Sequence, residues 1–252
     1  MKIKNILISQ PQPENEKSPY AEIIKKYNVD ICFKKFFKIE GIGAKEFRQQ
    51  RVNILDYSAI IFTSKHSIDQ FFILCEELRV SIPETMKYFC TSEAIALYLQ
   101  KYVQFRKRKI FFGKSNFAEL LDIIKKQKTE KYLFPCAESH QMDIPKQLDQ
   151  AKVTFLMAPI YRTIPDDLSE LDINKFQMLV FFSPIGIESL QKNFPNFVQN
   201  ETVLGAFGEA TAKAIEKAGF KLTLKAPTEN APSMTMAIDA FLECNRKKQS
   251  QA

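Results

Sequence analysis

An internal repeat constrains the fold of this 252-residue chain more than any other feature of its sequence. Residues 61–69 (IFTSKHSID) and 180–188 (VFFSPIGIE) align without a gap, and each predicts a buried strand, a polar turn and the start of a helix. Further along, residues 89–96 (FCTSEAIA) and 207–214 (FGEATAKA) repeat the pattern at almost the same offset. Such a duplication predicts two similar domains.

Short apolar runs rich in Ile, Val and Phe alternate with amphipathic stretches along the chain. These runs lie at residues 3–8, 59–62, 87–90, 110–112, 132–134, 178–182 and 203–207. Buried strands that alternate with helices are typical of βαβ units around parallel sheets. The predicted fold class is therefore α/β, with two similar doubly wound parallel-sheet domains of the flavodoxin or Rossmann type.

The order of these strands also predicts how the domains share the chain. The second copy of the repeat needs a leading strand, which the spare apolar strand at the N-terminus can supply. This predicts a discontinuous α/β domain of residues 1–33 plus 167–252, with a second α/β domain, residues 40–155, inserted into it. Segments 33–39 and 155–166 would then cross side by side as a two-stranded hinge.

The composition argues against several classes of chemistry. The five cysteines are odd in number and lack the close pairs of a zinc site or a redox dithiol. Only His66 and His140 could serve as histidine ligands or bases, so neither a metal site nor a catalytic triad is expected. The N-terminal apolar run is too short for a signal peptide, and no apolar stretch reaches the roughly 18 residues of a membrane span. We expect a soluble, cytoplasmic protein.

The charge balance favours an anionic partner. The 36 basic and 29 acidic side chains give a net charge of +7, with a pI near 9.0. The densest basic run, residues 106–109 (RKRK), is typical of a solvated loop, although a nucleic-acid patch has the same composition. The charge alone does not identify the anion.

Two equivalent serines follow strands of the repeat, Ser64 in the first copy and Ser183 in the second. In open α/β sheets ligands bind beyond the carboxyl ends of the strands, where helix N-termini present unpaired amides to anions. Both serines are therefore candidates for carboxylate binding in a cleft between the domains, together with Lys65, Pro184 and Gly186 of the same turns. The alternative is that each serine only caps its helix.

Further candidates lie in three other segments. Gly208 permits close approach of the backbone to a ligand, and Thr211 falls in the first turn of the next helix. Ser233 precedes a final helix predicted over residues 234–244, where helix capping is the simpler explanation. Tyr161 belongs to a crossing segment, and its phenol could donate a proton to a leaving oxygen, although a tyrosine on a strand is usually packed in the core.

Six short segments carry a resemblance to a known family. They are residues 61–64 (IFTS), 133–136 (LFPC), 161–163 (YRT), 181–186 (FFSPIG), 207–214 (FGEATAKA) and 231–233 (APS). None is specific alone, but their order and spacing, with the duplication, resemble the uroporphyrinogen-III synthase family over nearly the whole chain.

The resemblance implies a reaction that needs few reactive side chains. Hydroxymethylbilane, a linear tetrapyrrole, would lose water to form an azafulvene; attack by the substituted carbon of the terminal pyrrole would give a spiro intermediate, and rearrangement would close uroporphyrinogen III with that ring inverted. Holding the ends of the substrate in the correct geometry is then the main task. The resemblance also implies a monomeric enzyme of haem biosynthesis without a cofactor and without a nucleic-acid or membrane partner. The acetate and propionate on every pyrrole suit a basic protein.

Individual residues match positions of this family. Tyr161 matches the tyrosine proposed to assist departure of the hydroxyl, and Ser64, Ser183 and Thr211 match carboxylate-binding positions. One departure is Glu93, which stands where the family often has threonine and would repel an anionic substrate unless it points away.

Thr91 or Ser92 would then take over the role of that threonine.

Four alternatives stay open. A two-lobed protein could bind an anion without converting it, and a divergent family member could have weak activity. A flavodoxin-like protein fits less well, because the segment after the first strand, residues 10–13 (QPQP), is no phosphate-binding loop. Nucleic-acid binding is the last alternative.

Overall fold

The computed structural model divides the chain into two compact units. Unit 1 comprises Met1–Lys38 and Ile164–Ala252, and unit 2 comprises Ile39–Thr163. The residues that the structure describes are 2–13, 18–114, 117–127, 129–140 and 142–250, with side chains described up to residue 247.

Strands and helices alternate along most of the chain. The strands are β1 (Asn5–Ile8), β2 (Asp30–Phe33), β3 (Phe37–Gly41), β4 (Ala59–Phe62), β5 (Lys87–Cys90), β6 (Ile110–Phe112), β7 (Tyr132–Ala137), β8 (Phe155–Pro165), β9 (Met178–Phe181), β10 (Val203–Phe207) and β11 (Leu222–Ala226). The helices are α1 (Pro19–Tyr27), α2 (Ala44–Gln49), α3 (Lys65–Leu78), α4 (Glu93–Tyr98), α5 (Phe117–Lys125), α6 (Asp143–Gln150), α7 (Pro184–Asn193), α8 (Glu209–Lys217) and α9 (Met234–Ser250). Short 3-10 turns cover Ile54–Asp56, Leu99–Lys101 and Ile173–Lys175.

Local sequence features set the ends of several helices. Before α1, the Ser18 hydroxyl accepts a hydrogen bond from Tyr20 N, and Pro19 occupies the first turn, where its missing N–H costs nothing. At the other end Asn28 adopts a left-handed conformation, with φ of 52°, which stops the helix. Arg79 ends α3 in the same way, with φ of 58°.

Unit 1 contains a five-stranded sheet in the order β11-β10-β9-β1-β2, and all its neighbouring pairs are parallel. Successive residues of β1 alternate between two buried clusters. Ile6 and Ile8 pack with α1 and α9 on one face, whereas Leu7 packs with α7 and α8 on the other. Because both faces are covered, the inner strands β9 and β10 are apolar throughout instead of alternating.

Unit 2 contains a six-stranded sheet in the order β3-β8-β7-β4-β5-β6, in which β8, β7, β4, β5 and β6 pair in parallel. Its two faces are also covered. Ile60 and Phe62 of β4 pack with α2 and α3, whereas Ile61 packs with α5 and α6. The α/β class with helices on both sides of parallel sheets, predicted from the sequence, is confirmed.

None of the helices in the described ranges combines the length and the apolar character that a membrane span requires.

Candidate functional site

The turn after β4 places Ser64 directly before α3. Its hydroxyl accepts a hydrogen bond from Ser67 N at 3.0 Å, while Ser67 Oγ accepts one from Ser64 N at 3.3 Å and donates to Ser64 O at 2.7 Å. This reciprocal arrangement is a capping box, which satisfies amides that would otherwise stay unpaired at the start of the helix. The capping role of Ser64 is therefore observed, and its carboxylate-binding role stays a prediction.

Ser183 occupies the equivalent position before α7. Its backbone angles, φ −155° and ψ 152°, nearly equal those of Ser64, φ −154° and ψ 159°. Its hydroxyl makes no capping hydrogen bond; Gly186 N donates instead to Ser183 O at 3.0 Å. Pro184 follows at the first helical position. The Ser183 hydroxyl can therefore both donate to and accept from a ligand, whereas the Ser64 hydroxyl already accepts one hydrogen bond and has its proton left to donate.

Gly186 is needed where it stands because the interior is packed tightly against its Cα. A Cβ built there would lie 3.0 Å from Cδ1 of Phe181 and 3.7 Å from Oγ of Ser9. Ser9 follows β1 and is only 4% exposed, and Ser9 N donates to Val180 O at 2.9 Å. Ser9 lies next to the Ser183 turn and was not among the candidates chosen from the sequence. Its position directly after an apolar strand is the signal that could have identified it.

The turn after β10 begins with Gly208, whose φ of 85° and ψ of 152° favour glycine. Its N–H donates to Ala226 O at 2.7 Å. Thr211, the third residue of α8, is only 2% exposed, so most of its side chain faces the interior. The backbone at the start of α8 is accordingly better placed for an anion than the Thr211 hydroxyl.

A carboxylate occupies the first position of α8, and two lysines balance it. Glu209 lies 2.6 Å from Lys225 Nζ and 3.9 Å from Lys213 Nζ. The hydrogen bond from Lys225 is the main reason why the pKa of the Glu209 carboxyl lies below its ordinary value. The negative charge at this helix N-terminus is therefore largely neutralised.

The turn after β5 contains Thr91 and Ser92, and Glu93 begins α4. Ser92 has the extended conformation of the other serines, φ −146° and ψ 162°, and makes no capping hydrogen bond with its side chain. Glu93 is exposed and has no ion-pair partner among the side chains that the structure describes. Glu93 is the first residue of α4 and Glu209 is the first residue of α8, so the two glutamates hold the same position in their helices. The repeat in the sequence instead aligns Glu93 with Thr211.

Neighbouring turns within each unit lie side by side. Thr91 N donates to Phe62 O at 3.1 Å, which joins the β5 turn to the end of β4, where Ser64 follows. In unit 1 the strands β9 and β10 are parallel neighbours, so the Ser183 and Gly208 turns leave the same edge of the sheet. We call the edge at which the parallel strands end the carboxyl edge.

Lys65 and Ser233 have partners that account for their positions. Lys65 is exposed, and its Nζ lies 5.3 Å from the centroid of the Tyr98 ring. The Ser233 hydroxyl accepts from Met236 N at 3.2 Å and hydrogen-bonds Thr235 Oγ1 at 2.9 Å, so it caps α9. A ligand role for either residue stays a prediction.

Tyr161 lies in β8 and is half-buried, with its ring against the cluster that also holds α3. Its carbonyl accepts a hydrogen bond from Glu138 N at 2.9 Å. No side chain or backbone group in the described ranges hydrogen-bonds its hydroxyl. The next residue, Arg162, forms ion pairs with Glu46 and with Glu138, the latter at 3.6 Å from Nε to Oε2. The Tyr161 phenol therefore has no competing acceptor in the part of the chain that the structure describes.

Comparison with known proteins gives an independent result. Residues 19–236 match a family model described as "Uroporphyrinogen-III synthase HemD". A curated protein of Methanocaldococcus jannaschii, named "Putative uroporphyrinogen-III synthase", is 28% identical over 225 residues, which cover 83% of this chain and 88% of that protein.

A solved structure described as uroporphyrinogen-III synthetase from Helicobacter pylori 26695 superposes with a TM-score of 0.54 at 17% identity, and the match covers 96% of this chain and all of that one. At this identity the likeness shows the fold only. The family model, by contrast, spans most of the chain, and the resemblance inferred from the sequence is confirmed. The chain belongs to the uroporphyrinogen-III synthase family, a family of lyases in porphyrin biosynthesis.

Proposed function

We propose that this protein converts hydroxymethylbilane into uroporphyrinogen III, with inversion of the terminal pyrrole ring and release of one water molecule. The observation that carries the proposal is the family match over residues 19–236. The geometry supports it, because both units present polar turns and helix N-termini at the carboxyl edges of parallel sheets, as a ligand with many carboxylates requires.

Substrate carboxylates bind the starts of α7 and α8 in this proposal. The free Ser183 hydroxyl and the N-terminal amides of α7 can donate to one carboxylate, and the open backbone at Gly208 can receive another. In unit 2 the candidates are Ser92 and Thr91, together with the ammonium group of Lys65. Several such contacts along a flexible chain would fix its curvature, and curvature decides which carbon of the terminal pyrrole attacks.

Tyr161 acts as the proton donor in the first step. Its hydroxyl protonates the substrate hydroxyl, the carbon–oxygen bond breaks, and water leaves. The pyrrole N–H then gives up its proton, which returns to the Tyr161 phenolate, so that the azafulvene and one water molecule are the products and the phenol is restored. A phenol can donate its proton to a leaving oxygen, and the absence of a competing acceptor among the described residues leaves the proton available.

A coupled assay tests the activity. Hydroxymethylbilane made in situ closes spontaneously to the type I isomer, so we expect the protein to shift the oxidised product toward the type III porphyrin in chromatography. An unchanged ratio of isomers would refute the proposal.

A matched pair of tyrosine variants tests the catalytic residue. Tyr161→Phe should lower kcat at least tenfold with little change in the melting temperature. Tyr88→Phe, which removes a phenol oxygen near the opposite edge of the same sheet, should keep wild-type turnover. Equal turnover of the Tyr161→Phe variant and the wild type would remove the role assigned to Tyr161.

The remaining expectations belong to the same proposal: the enzyme works in the cytoplasm as a monomer, without a cofactor or a nucleic-acid partner. Among the described residues no cluster of three or more His, Cys, Asp or Glu side chains could hold a metal ion. Sedimentation of the active protein at assay concentrations should give the mass of one chain, and activity should survive exhaustive dialysis against a chelator. A dimer as the only active species would contradict this part.

A further inference from the structure

Unit 2 contains a cavity of about 440 Å³ that the proposed reaction does not use. Its apolar wall is formed mainly by Phe72, Met86, Tyr88, Tyr102, Val103 and Ile110. Tyr88 and Ile110 stand at the starts of β5 and β6, and Met86 and Val103 lie in the loops that precede these strands. The cavity therefore opens at the amino ends of the strands, on the edge opposite to the turns that contain Ser64 and Ser92.

Two aromatic side chains stack in the wall of this cavity. The rings of Phe72 and Tyr102 stack in parallel, with centroids 4.4 Å apart and an angle of 5° between the planes. The Tyr102 hydroxyl hydrogen-bonds Asp69 at 2.5 Å, which fixes the orientation of its ring. A volume of several hundred Å³ with aromatic walls is typical of sites for small organic molecules.

One polar group inside the cavity lacks a partner. Tyr88 is only 5% exposed, and its hydroxyl has no hydrogen-bond partner in the part of the chain that the structure describes. Burial raises the pKa of this phenol, so it stays protonated and can donate a hydrogen bond to a ligand oxygen. The nearby Cys75 thiol is likewise kept protonated, because burial raises its pKa to about 12. Among the described residues the fully buried polar side-chain atoms without a hydrogen-bond partner are His140 Nε2 and Arg162 Nε, so the Tyr88 hydroxyl is accessible to a ligand in the cavity.

Basic side chains of one loop reach the mouth of the cavity. Arg106 pairs with Glu84 at 3.1 Å from NH1 to Oε2, and Lys109 donates to the backbone carbonyl of Glu84. Arg106 and Lys109 line the cavity together with the carboxylates of Glu76 and Glu84, so the charges of the lining balance. Lys107 and Arg108 of the same loop add two further positive charges, which would attract an anionic group on a ligand.

We propose that this cavity binds a small aromatic carboxylate, with its ring against Phe72 and Tyr102, one oxygen accepting the Tyr88 hydrogen bond, and its charge facing the basic loop. The proposal does not depend on the synthase activity, because no residue assigned to that reaction lines the cavity.

Calorimetric titration of the full chain with 2-naphthoate, and separately with its neutral methyl ester, tests the proposal. We expect one equivalent of 2-naphthoate to bind, and the ester to bind at least fivefold more weakly. Tyr88→Phe should weaken 2-naphthoate binding about fivefold through loss of one hydrogen bond. Val103→Trp should abolish binding by filling the cavity. Tyr161→Phe, a variant on the same sheet that leaves the cavity intact, should bind like the wild type.

Circular dichroism checks that Val103→Trp is folded; Tyr88→Phe keeps the ring, so its result stands even if the tryptophan variant is not folded. The proposal is overturned if no heat of binding is seen up to the solubility limit of 2-naphthoate. It is equally overturned if the Tyr88→Phe variant binds as tightly as the wild type, or if the ester binds as tightly as the acid.

Discussion

Replacing Ser64 by alanine separates the capping role of this serine from a role in substrate binding. The Ser64 hydroxyl accepts the hydrogen bond from Ser67 N at 3.0 Å, and alanine leaves that amide without its partner. The two bonds of Ser67 Oγ to the Ser64 backbone survive the change. Only one of the three interactions of the capping box is therefore lost.

The expected cost follows from that single bond. An N-cap serine replaced by alanine loses about 1 kcal/mol of unfolding free energy, which corresponds to a drop of about 3 °C in melting temperature for a chain of this size. Ser64→Gly should lose only a few tenths of a kcal/mol. Ser183→Ala is the matched control, because the Ser183 hydroxyl makes no capping hydrogen bond, and its loss should be smaller than that of Ser64→Ala.

Urea unfolding followed by circular dichroism measures the free energies, and the coupled isomer assay measures KM. We expect opposite patterns: Ser64→Ala reduces stability with little change in KM, and Ser183→Ala raises KM about fivefold with little change in stability. Equal losses of stability in the two variants, or a larger rise in KM for Ser64→Ala, would refute the reasoning.

Three further changes test the charges and the packing of the two units. Glu93→Gln should lower KM about twofold by removing a repulsive charge, whereas Glu76→Gln, at the other end of the unit 2 sheet, should leave KM unchanged; steady-state kinetics of both variants decide the point. Lys87→Met should reduce stability more at pH values where Glu130 is ionised than where it is protonated, because the hydrogen bond from Lys87 to Gln127 is lost at every pH. Burial pushes the pKa of the Glu130 carboxyl upward, but hydrogen bonds, with that from Lys87 the largest, hold it below its ordinary value. The loss in urea titrations should therefore be full above the ordinary pKa of a glutamate, about 4.3, and shrink as the pH falls through the lower pKa of the folded state; a loss independent of pH would contradict the pairing. Gly186→Ala should cost about 1 kcal/mol because its Cβ would meet a neighbouring aromatic ring at 3.0 Å, and unchanged thermal stability would show that the ring yields freely.

The sequence predicts the buried strands well and the half-exposed strands poorly. Strands such as β4 and β9 have both faces covered, so their sequences are short, continuous apolar runs that periodicity detects. The edge strand β11 alternates apolar residues with exposed threonine and lysine, and β8 is half-buried along most of its length. The apolar runs of the sequence include neither strand, and β8 was expected only as part of the two-stranded crossing segment 155–166, since pairing with a neighbour, and not burial of every residue, holds these strands in place.

The candidate site shows a similar limit. The repeat predicts where the polar turns lie in the chain, because a serine between an apolar strand and a helix is most often part of the turn that connects them. The state of each hydroxyl depends on a residue three positions later. Ser67 offers a side chain that completes the capping box with Ser64, whereas Gly186 offers none to Ser183. Although Ser64 and Ser183 hold equivalent positions in the repeat, their hydroxyls therefore do not make the same hydrogen bonds.

Charge extends this difference to the neighbouring turns. In unit 1 the Ser183 hydroxyl is free, and Glu209 is balanced by Lys225 at 2.6 Å. In unit 2 the Ser64 hydroxyl is engaged, and Glu93 has no ion-pair partner among the described side chains. A neutralised carboxylate leaves its helix N-terminus attractive to an anion, whereas an uncompensated carboxylate repels one. We therefore expect unit 1 to contribute most of the affinity for the substrate carboxylates, although both units contain the same repeated sequence pattern.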